Sequence, residues 1–174
     1  IGIMAVALLV VFRDRLSAGL FVGLLVSGPL FLGVGAVLAK LDAAIASVPG
    51  LKGVSNHMGS KATEDFRLME LIFGRLKKDG LFFLDSLTSK RSACKAAAKT
   101  IGIAYGRRDI FLDNSTDPES IRKQVLAMRK LAFKKGSVIA ICHDRKNTVK
   151  VLAEMMPRLA SEGIRFVYLS ETVK

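Results

Sequence analysis

The chain has 174 residues, the length of one ordinary domain, and 27 Lys and Arg against 15 Asp and Glu give it a net charge of +12. Hydrophobic residues make up 51% of the sequence, which excludes an intrinsically disordered chain. The two cysteines, Cys94 and Cys142, exclude a disulfide scaffold and a four-cysteine zinc site. The two histidines, His57 and His143, exclude a metal site made of three histidines.

The first forty residues are far more apolar than the rest. Residues 1–12 are uncharged, and after Arg13, Asp14 and Arg15 the stretch 16–39 again contains no charge. About 20 apolar residues are enough to cross a bilayer as a helix. The sequence therefore predicts a hydrophobic segment at 1–39 that anchors the chain in a membrane, followed by a folded domain at 40–174.

An alternative for the same residues is a pair of buried elements of a soluble α/β domain. Pro29 and five glycines would weaken a long soluble helix, whereas membrane helices tolerate both residue types. We therefore favour the anchor, while the alternative would place residues 1–38 in the sheet.

From Lys40 onward, apolar strands alternate with helices, and glycines follow most of the helices. Helices are predicted at 39–48, 63–78, 92–101, 117–135 and 147–162. Strands are predicted at 53–55, 81–84, 110–112, 138–142 and 165–169. This alternation is typical of an α/β fold with a parallel sheet.

Ionisable side chains follow the predicted strands at their carboxyl ends. They are His57, Asp85, Asp113 and His143. In parallel α/β folds, functional sites form at this edge because the loops after the strands converge there.

Each of these residues has a functional and a structural interpretation. His57 lies in the loop SNHMGS and is either a metal ligand or a residue that closes the loop. His143 is either a general acid or base or a strand-end residue bonded to a carbonyl. Asp85 either orients a base or binds metal, or it caps a turn.

Three further positions are ambiguous. Arg108 and Asp109 precede the strand IFL and are interpreted as an ion pair that places the arginine against the site. Asp113 with Asn114 is interpreted, by a small margin, as a turn that leads into Asp117. Cys142 beside His143 is more consistent with a buried strand thiol than with a nucleophile, since neighbours on a strand point to opposite faces.

The positive charge is spread over helix ends and includes no basic run with interleaved aromatic residues. Nucleic-acid binding is therefore disfavoured. Contact with an anionic membrane surface or an acidic glycan fits the charge equally well.

Several ordered motifs resemble the divergent polysaccharide deacetylase family, a branch of the NodB-like carbohydrate esterases. The resemblance covers about residues 39–171. The motifs are SNHMGSKAT, GLFFLDSLTS, RRDIFLDN, DPESI, VIAICH and GIRFVYLSE.

This resemblance implies a NodB-like (β/α) barrel with parallel strands and metal-dependent hydrolysis of acetyl groups on a polysaccharide or peptidoglycan-like glycan. The implied cofactor is a divalent metal, usually zinc, with His57 as a ligand. The resemblance implies that His143 serves as acid and that Asp85, Arg108 and Asp109 line the pocket. It also implies a bacterial protein anchored in the inner membrane with its domain on the periplasmic side.

The sequence also departs from the family pattern. The family carries an earlier strand ending in two aspartates and another ending in a histidine, but residues 1–38 contain no histidine and Asp14 as their one acid. Two of the three expected metal ligands are therefore missing, and the barrel is expected to be partial at its N-terminal side. The alternative function is a catalytically inactive, membrane-anchored remnant or glycan-binding module.

Overall fold

The computed structural model of the chain describes residues 4–11 and 33–173. Within these residues, strands and helices alternate along most of the chain. The strands are β1 (Met4–Val11), β2 (Gly53–Ser55), β3 (Phe82–Asp85), β4 (Tyr105–Arg107), β5 (Ile110–Phe111), β6 (Ser137–His143) and β7 (Ile164–Val167). The helices are α1 (Val34–Ala46), α2 (Ser60–Glu64), α3 (Phe66–Lys78), α4 (Cys94–Ile101), α5 (Pro118–Lys135) and α6 (Lys146–Ser161).

The described residues belong to two compact units, each with its own parallel sheet. The C-terminal unit contains β1 together with residues 108–172, and its strands lie in the order β5-β6-β1-β7. The N-terminal unit contains residues 33–107, with the strand order β2-β3-β4. The predicted α/β fold with parallel strands is confirmed.

Strand β1 lies inside the sheet of the C-terminal unit. It pairs with β6 from Ala5 opposite Ser137 to Val11 opposite His143, and on its other side it pairs with β7. Residues 4–11, which the sequence analysis placed in the hydrophobic segment 1–39, thus form a strand, as the alternative interpretation had it. An apolar run of this kind is typical of a parallel strand that is buried on both faces.

The predicted membrane anchor depends mainly on residues 12–32, which lie outside the described residues. Across residues 4–11 and 33–173, no helix combines the length and hydrophobicity that a bilayer crossing requires. Helix α1 begins at Val34, so it extends across the predicted boundary at residue 40.

Each unit buries its own hydrophobic core between the sheet and its helices. In the C-terminal unit, α5 and α6 pack on the sheet. In the N-terminal unit, α1, α3 and α4 contribute to the core. The fully buried large side chains are Leu41, Met69, Phe73, Leu76, Leu84, Leu112, Ile121, Val125, Met128, Ile141 and Leu159.

Local signals explain where the helices begin and end. Asp117 caps α5 by accepting a hydrogen bond from the Ser120 backbone N–H at 2.8 Å, and Gly136 follows the helix with a φ of +82°. The helix predicted at 63–78 is instead divided into α2 and α3. The break falls at Asp65, which leaves helical geometry and accepts the Leu68 N–H at 3.0 Å as the cap of α3.

Candidate functional site

The C-terminal unit brings Asp113 and His143 together at the carboxyl ends of two neighbouring strands. β5 pairs with β6 in parallel, Asp113 lies just after β5, and His143 is the last residue of β6. His143 Nδ1 lies 3.0 Å from Asp113 Oδ1. The His143 backbone N–H also donates to the same carboxylate, at 3.1 Å to Oδ1 and 3.0 Å to Oδ2.

The carboxylate determines which imidazole nitrogen carries the proton. An ionised carboxylate only accepts hydrogen bonds, so opposite an ionised Asp113 the proton of the neutral His143 ring lies on Nδ1. In the neutral ring, Nε2 then holds the lone pair, and in the charged ring Nε2 carries a second proton. This arrangement suits a group that exchanges protons with a bound molecule through Nε2.

The two partners differ in burial. Asp113 is completely buried, whereas the His143 side chain is 24% exposed. A buried carboxylate needs hydrogen-bond donors, and Thr148 on α6 supplies one more through Oγ1, at 2.7 Å from Oδ2. The pair therefore has a buried anchor and an imidazole that reaches solvent.

An aromatic ring packs against this histidine. The Phe111 ring meets the His143 ring edge to face, with centroids 5.2 Å apart. The Arg108 guanidinium lies over the same Phe111 ring, 5.2 Å from its centroid. Arg108 thus contacts the aromatic ring that packs against His143.

Asp109 lies elsewhere, at the amino end of β5. Its carboxylate accepts a hydrogen bond from Lys135 Nζ at 2.6 Å and from the Ile139 backbone N–H at 2.9 Å. These contacts join the start of β5 to the start of β6. The structure therefore brings Asp109 neither to Asp113 nor to His143, and its carboxylate stabilises the opposite edge of the sheet.

In the N-terminal unit, Asp85 ends β3 and is 1% exposed. Its carboxylate accepts hydrogen bonds from the Leu87 N–H at 2.7 Å, from Ser92 Oγ at 2.7 Å and from the Tyr105 hydroxyl at 3.2 Å. Burial, followed by the charge of Asp85, raises the pKa of Tyr105, so its hydroxyl stays protonated and donates. Asp85 therefore orders the loop that follows β3.

His57 lies in the loop after β2 and is partly buried. The buried Asn56 before it holds this loop, since its Nδ2 donates to the Met58 carbonyl at 3.0 Å and its Oδ1 accepts the Ser86 N–H at 2.8 Å. Met58 and Gly59 both have positive φ values, of 60° and 79°. His57, in the loop after β2, and Asp85, at the end of β3, thus lie at the carboxyl edge of one sheet.

The residues expected to bind a metal do not form a ligand set within the described part of the chain. Over residues 4–11 and 33–173, no three His, Cys, Asp or Glu residues are close enough together to hold a metal ion. Catalytic zinc sites use three protein ligands. The described residues therefore do not fit a three-ligand metal site around His57.

Both cysteines are buried and protonated. Burial raises the pKa of Cys142 to about 12, and it raises the pKa of Cys94 to about 12 as well. Because the thiolate is the nucleophile, a thiol with such a pKa is unreactive near neutral pH. This supports the interpretation of Cys142 as a buried strand thiol.

Sequence reasoning missed two residues of the His143 site. Asp113 was placed at the strand edge but was interpreted as part of a turn, and Thr148 was not singled out. The signal for Asp113 was its position directly after the apolar strand IFL, in the motif IFLDN. No sequence pattern showed that β5 and β6 are neighbours, which is what brings Asp113 to His143.

These features define an α/β protein built on parallel sheets, with a buried carboxylate and a histidine paired at a strand edge. The sequence profile of the divergent polysaccharide deacetylase family matches residues 34–173. The chain belongs to this family, as its motifs indicated.

Proteins similar to the chain include two curated relatives and a solved structure. It is 38% identical over 119 residues to the uncharacterized protein YibQ of Escherichia coli, over 68% of this chain and 37% of that one. It is 41% identical over 127 residues to an uncharacterized protein of Haemophilus influenzae, over 72% of this chain and 45% of that one. The chain thus spans less than half the length of either relative.

The crystal structure of an uncharacterized protein from Agrobacterium tumefaciens matches with a TM-score of 0.87 at 19% sequence identity. The match covers 99% of this chain and 90% of that one. At this level of identity, the likeness shows a shared fold.

Proposed function

We propose that this chain hydrolyses acetyl groups on a glycan, with His143 as the group that transfers the proton. The observation that carries the proposal is the pairing of His143 with the buried Asp113 at the carboxyl edge of a parallel sheet. Membership of the divergent polysaccharide deacetylase family supports a carbohydrate substrate.

The chemistry assigns a distinct task to each partner. Hydrolysis of an N-acetyl group adds water to the carbonyl and breaks the C–N bond, which releases acetate and an amine. The departing nitrogen needs a proton, and the charged imidazole of His143 donates it from Nε2. Asp113 holds the ring through Nδ1 and stabilises its positive charge while both nitrogens are protonated.

The proposal includes a divalent metal, zinc in the first instance, with His57 as one ligand. The described residues do not supply three ligands for it, and the proton that His143 transfers comes from its own imidazole. The metal content of the purified protein tests whether His57 is a ligand. We expect elemental analysis after exhaustive dialysis to find metal bound to the wild type and lost in His57→Ala, while absence from both proteins would contradict His57 as a ligand.

Acetate release from acetylated glycans tests the proposed activity. We expect His143→Gln and Asp113→Asn to lower the rate by about 100-fold or more, because general acid catalysis contributes at least that much. Asp42→Asn removes a half-exposed carboxylate in the N-terminal unit and is the matched control. Equal rates in His143→Gln and the wild type would overturn the assignment.

The same assay tests the alternative of a glycan-binding module without turnover. Calorimetric binding of an acetylated glycan, with no acetate released by the wild-type chain, would favour that alternative. Because the family does not specify the glycan, the assay includes both peptidoglycan and chitin fragments as substrates.

The cellular location is proposed on the sequence alone. The apolar run at 16–39 supports an inner-membrane anchor, and a glycan of the cell envelope as substrate supports the periplasmic side. Membrane fractionation followed by protease treatment of intact spheroplasts tests this, since a periplasmic domain is digested and a cytoplasmic domain is protected.

A further inference from the structure

One buried hydroxyl beside the His143–Asp113 pair has no role in the chemistry above. Thr148 lies in the first turn of α6 and is completely buried. Its Oγ1 donates a hydrogen bond to Asp113 Oδ2 at 2.7 Å. A threonine in a helix has two favoured χ1 rotamers, and the hydrogen bond to Asp113 fixes the direction of this hydroxyl.

We propose that Thr148 is a positioning residue that keeps Asp113 an ionised acceptor and thereby fixes the proton of His143 on Nδ1. Its role in proton transfer rests on the proposed function, whereas its effect on the histidine does not. Thr148 itself touches no substrate in this proposal and acts only through Asp113.

The distribution of donors around Asp113 supports this role. Oδ1 accepts from His143 Nδ1, and both oxygens accept from the His143 backbone N–H. Thr148 Oγ1 adds a side-chain donor to Oδ2. Removing the Thr148 hydroxyl leaves Oδ2 buried with one hydrogen-bond donor fewer. The loss disfavours the charged carboxylate and therefore favours protonation of Asp113.

Protonation of Asp113 would change the histidine. A protonated carboxyl carries an O–H donor, so it can donate to Nδ1 instead of accepting from it. The proton of the neutral ring would then move to Nε2, and the lone pair that faces a bound molecule would be lost. A single hydroxyl on α6 thus selects the tautomer of a histidine on β6.

Two further contacts hold α6 where Thr148 can reach Asp113. Arg145 Nη1 donates to the Asp113 carbonyl at 2.8 Å, and Asn147 Nδ2 donates to the Thr116 carbonyl at 2.9 Å. Both tie the start of α6 to the loop that follows β5. The hydroxyl therefore approaches Oδ2 from a helix end that is itself fixed to the same loop.

Nitrogen-15 NMR of histidine-labelled protein tests the proposal directly, because the chemical shifts report which ring nitrogen carries a proton. The chain has only two histidines, and His57→Gln assigns the signals. We expect Thr148→Val, which keeps the shape and removes the hydroxyl, to abolish the Nδ1–H signature of His143. We expect Thr148→Ser, which restores a donor, to retain it.

Thr63→Val is the matched control, since Thr63 is equally buried but donates to the Ser60 carbonyl in the other unit. It should leave the His143 signals unchanged. If Thr148→Val does not fold, Thr148→Cys makes the same test, because a thiol of similar volume is a weak donor. Unchanged His143 signals in a folded variant without the hydroxyl would overturn the proposal.

The NMR test of Thr148 can succeed or fail independently of the acetate-release test of the proposed function. If the wild type releases acetate, Thr148→Val should lower kcat by about tenfold or more with little change in KM, since a hydrogen bond to a charged group is lost. If no acetate is released but the tautomer changes, the positioning role stands and the proposed activity fails.

Discussion

At the scale of single residues, the hydrogen-bond partners of a buried carboxylate determine its role. Asp113 and Asp85 are both buried at strand ends, but Asp113 contacts an imidazole that is partly exposed, whereas Asp85 contacts a loop N–H, a serine and a tyrosine. The first carboxylate can influence a reacting group, while the second organises a loop. Residue type and position at a strand end are the same for Asp113 and Asp85. Their hydrogen-bond partners distinguish them.

The buried thiols allow a prediction at this scale. Because the pKa of Cys94 and of Cys142 is raised to about 12, we expect neither to react with a maleimide at pH 8 in the native protein, while both react in denaturant. Mass spectrometry counts the labels. Ala127→Cys, at an exposed position of α5, is the positive control and should be labelled rapidly. Rapid labelling of Cys142 in the native protein would contradict its burial.

The same pKa values set a pH dependence of stability. An unfolded thiol ionises near pH 8.5, whereas the folded thiols keep their protons until about pH 12. The folded state then binds more protons than the unfolded state, so the free energy of unfolding falls as pH rises above about 8.5. Urea unfolding at several pH values between 7 and 10 measures this, and a cysteine-free variant should lose that part of the slope.

At the scale of elements, α5 shows how short signals specify one helix. Its start is fixed by Asp117 and Pro118, and its end by a glycine with positive φ. Along its length, one ion pair joins Arg122 to Glu154 on α6 at 2.7 Å, and another joins Arg129 to Glu162, the residue that follows α6. The hydrogen bonds from these arginines lower the pKa of both glutamates, so the two contacts favour the charged carboxylates.

The cap of α5 can be tested by substitution. We expect Asp117→Ala to lower the free energy of unfolding by about 1 kcal/mol, because the Ser120 N–H loses its acceptor. Hydrogen bonds from Ser120 lower the pKa of Asp117, so the cap's contribution is present above about pH 4 and is lost as the carboxylate protonates below that. Urea unfolding of Gln124→Ala, an exposed change within the same helix, should differ little from the wild type.

At the scale of the whole molecule, the placement of β1 shows what hydropathy alone does not reveal. Parallel strands of α/β folds and membrane-spanning segments can both be continuous apolar runs, so the composition of residues 1–39 favoured a membrane anchor. Strand pairing distinguishes the two structures, and residues 4–11 pair with β6 on one side and β7 on the other. Those partners lie more than 120 residues away along the chain, beyond the reach of any local pattern.

A proline in β1 tests this placement. Ala7 pairs with Ile139 on one side and Val167 on the other, so Ala7→Pro removes a donor from the ladder and disturbs it. We expect it to destabilise the C-terminal unit by several times the cost of Ala7→Gly, which is about 1 kcal/mol. Chemical denaturation followed by circular dichroism measures both. Equal stability of Ala7→Pro and the wild type would show that residues 4–11 are not part of the folded sheet.

Much of the fold beyond residue 40 follows from the sequence, and the site follows only in part. The strands β2, β3, β5, β6 and β7 were predicted from short apolar runs that end in polar residues, because buried strands are recognisable from their local composition. β4, with the sequence YGR, carries no apolar run and was missed. His143 was found from its position, but its partner Asp113 depends on which strands are neighbours, and that is a property of tertiary structure.

The position of β1 also bears on the order in which the chain acquires its structure during synthesis. Among the described strands, β1 is synthesised before all the others, yet it lies inside a sheet whose flanking strands, at 137–143 and 164–167, follow more than 120 residues later. Until β6 and β7 are synthesised, the backbone of β1 lacks both of the strands with which it pairs. This apolar segment therefore stays unpaired while the intervening residues are translated. Completion of this sheet therefore requires residues 137–167 to have left the ribosome, and we expect a chain stalled before residue 137 to bind chaperones that recognise exposed apolar segments.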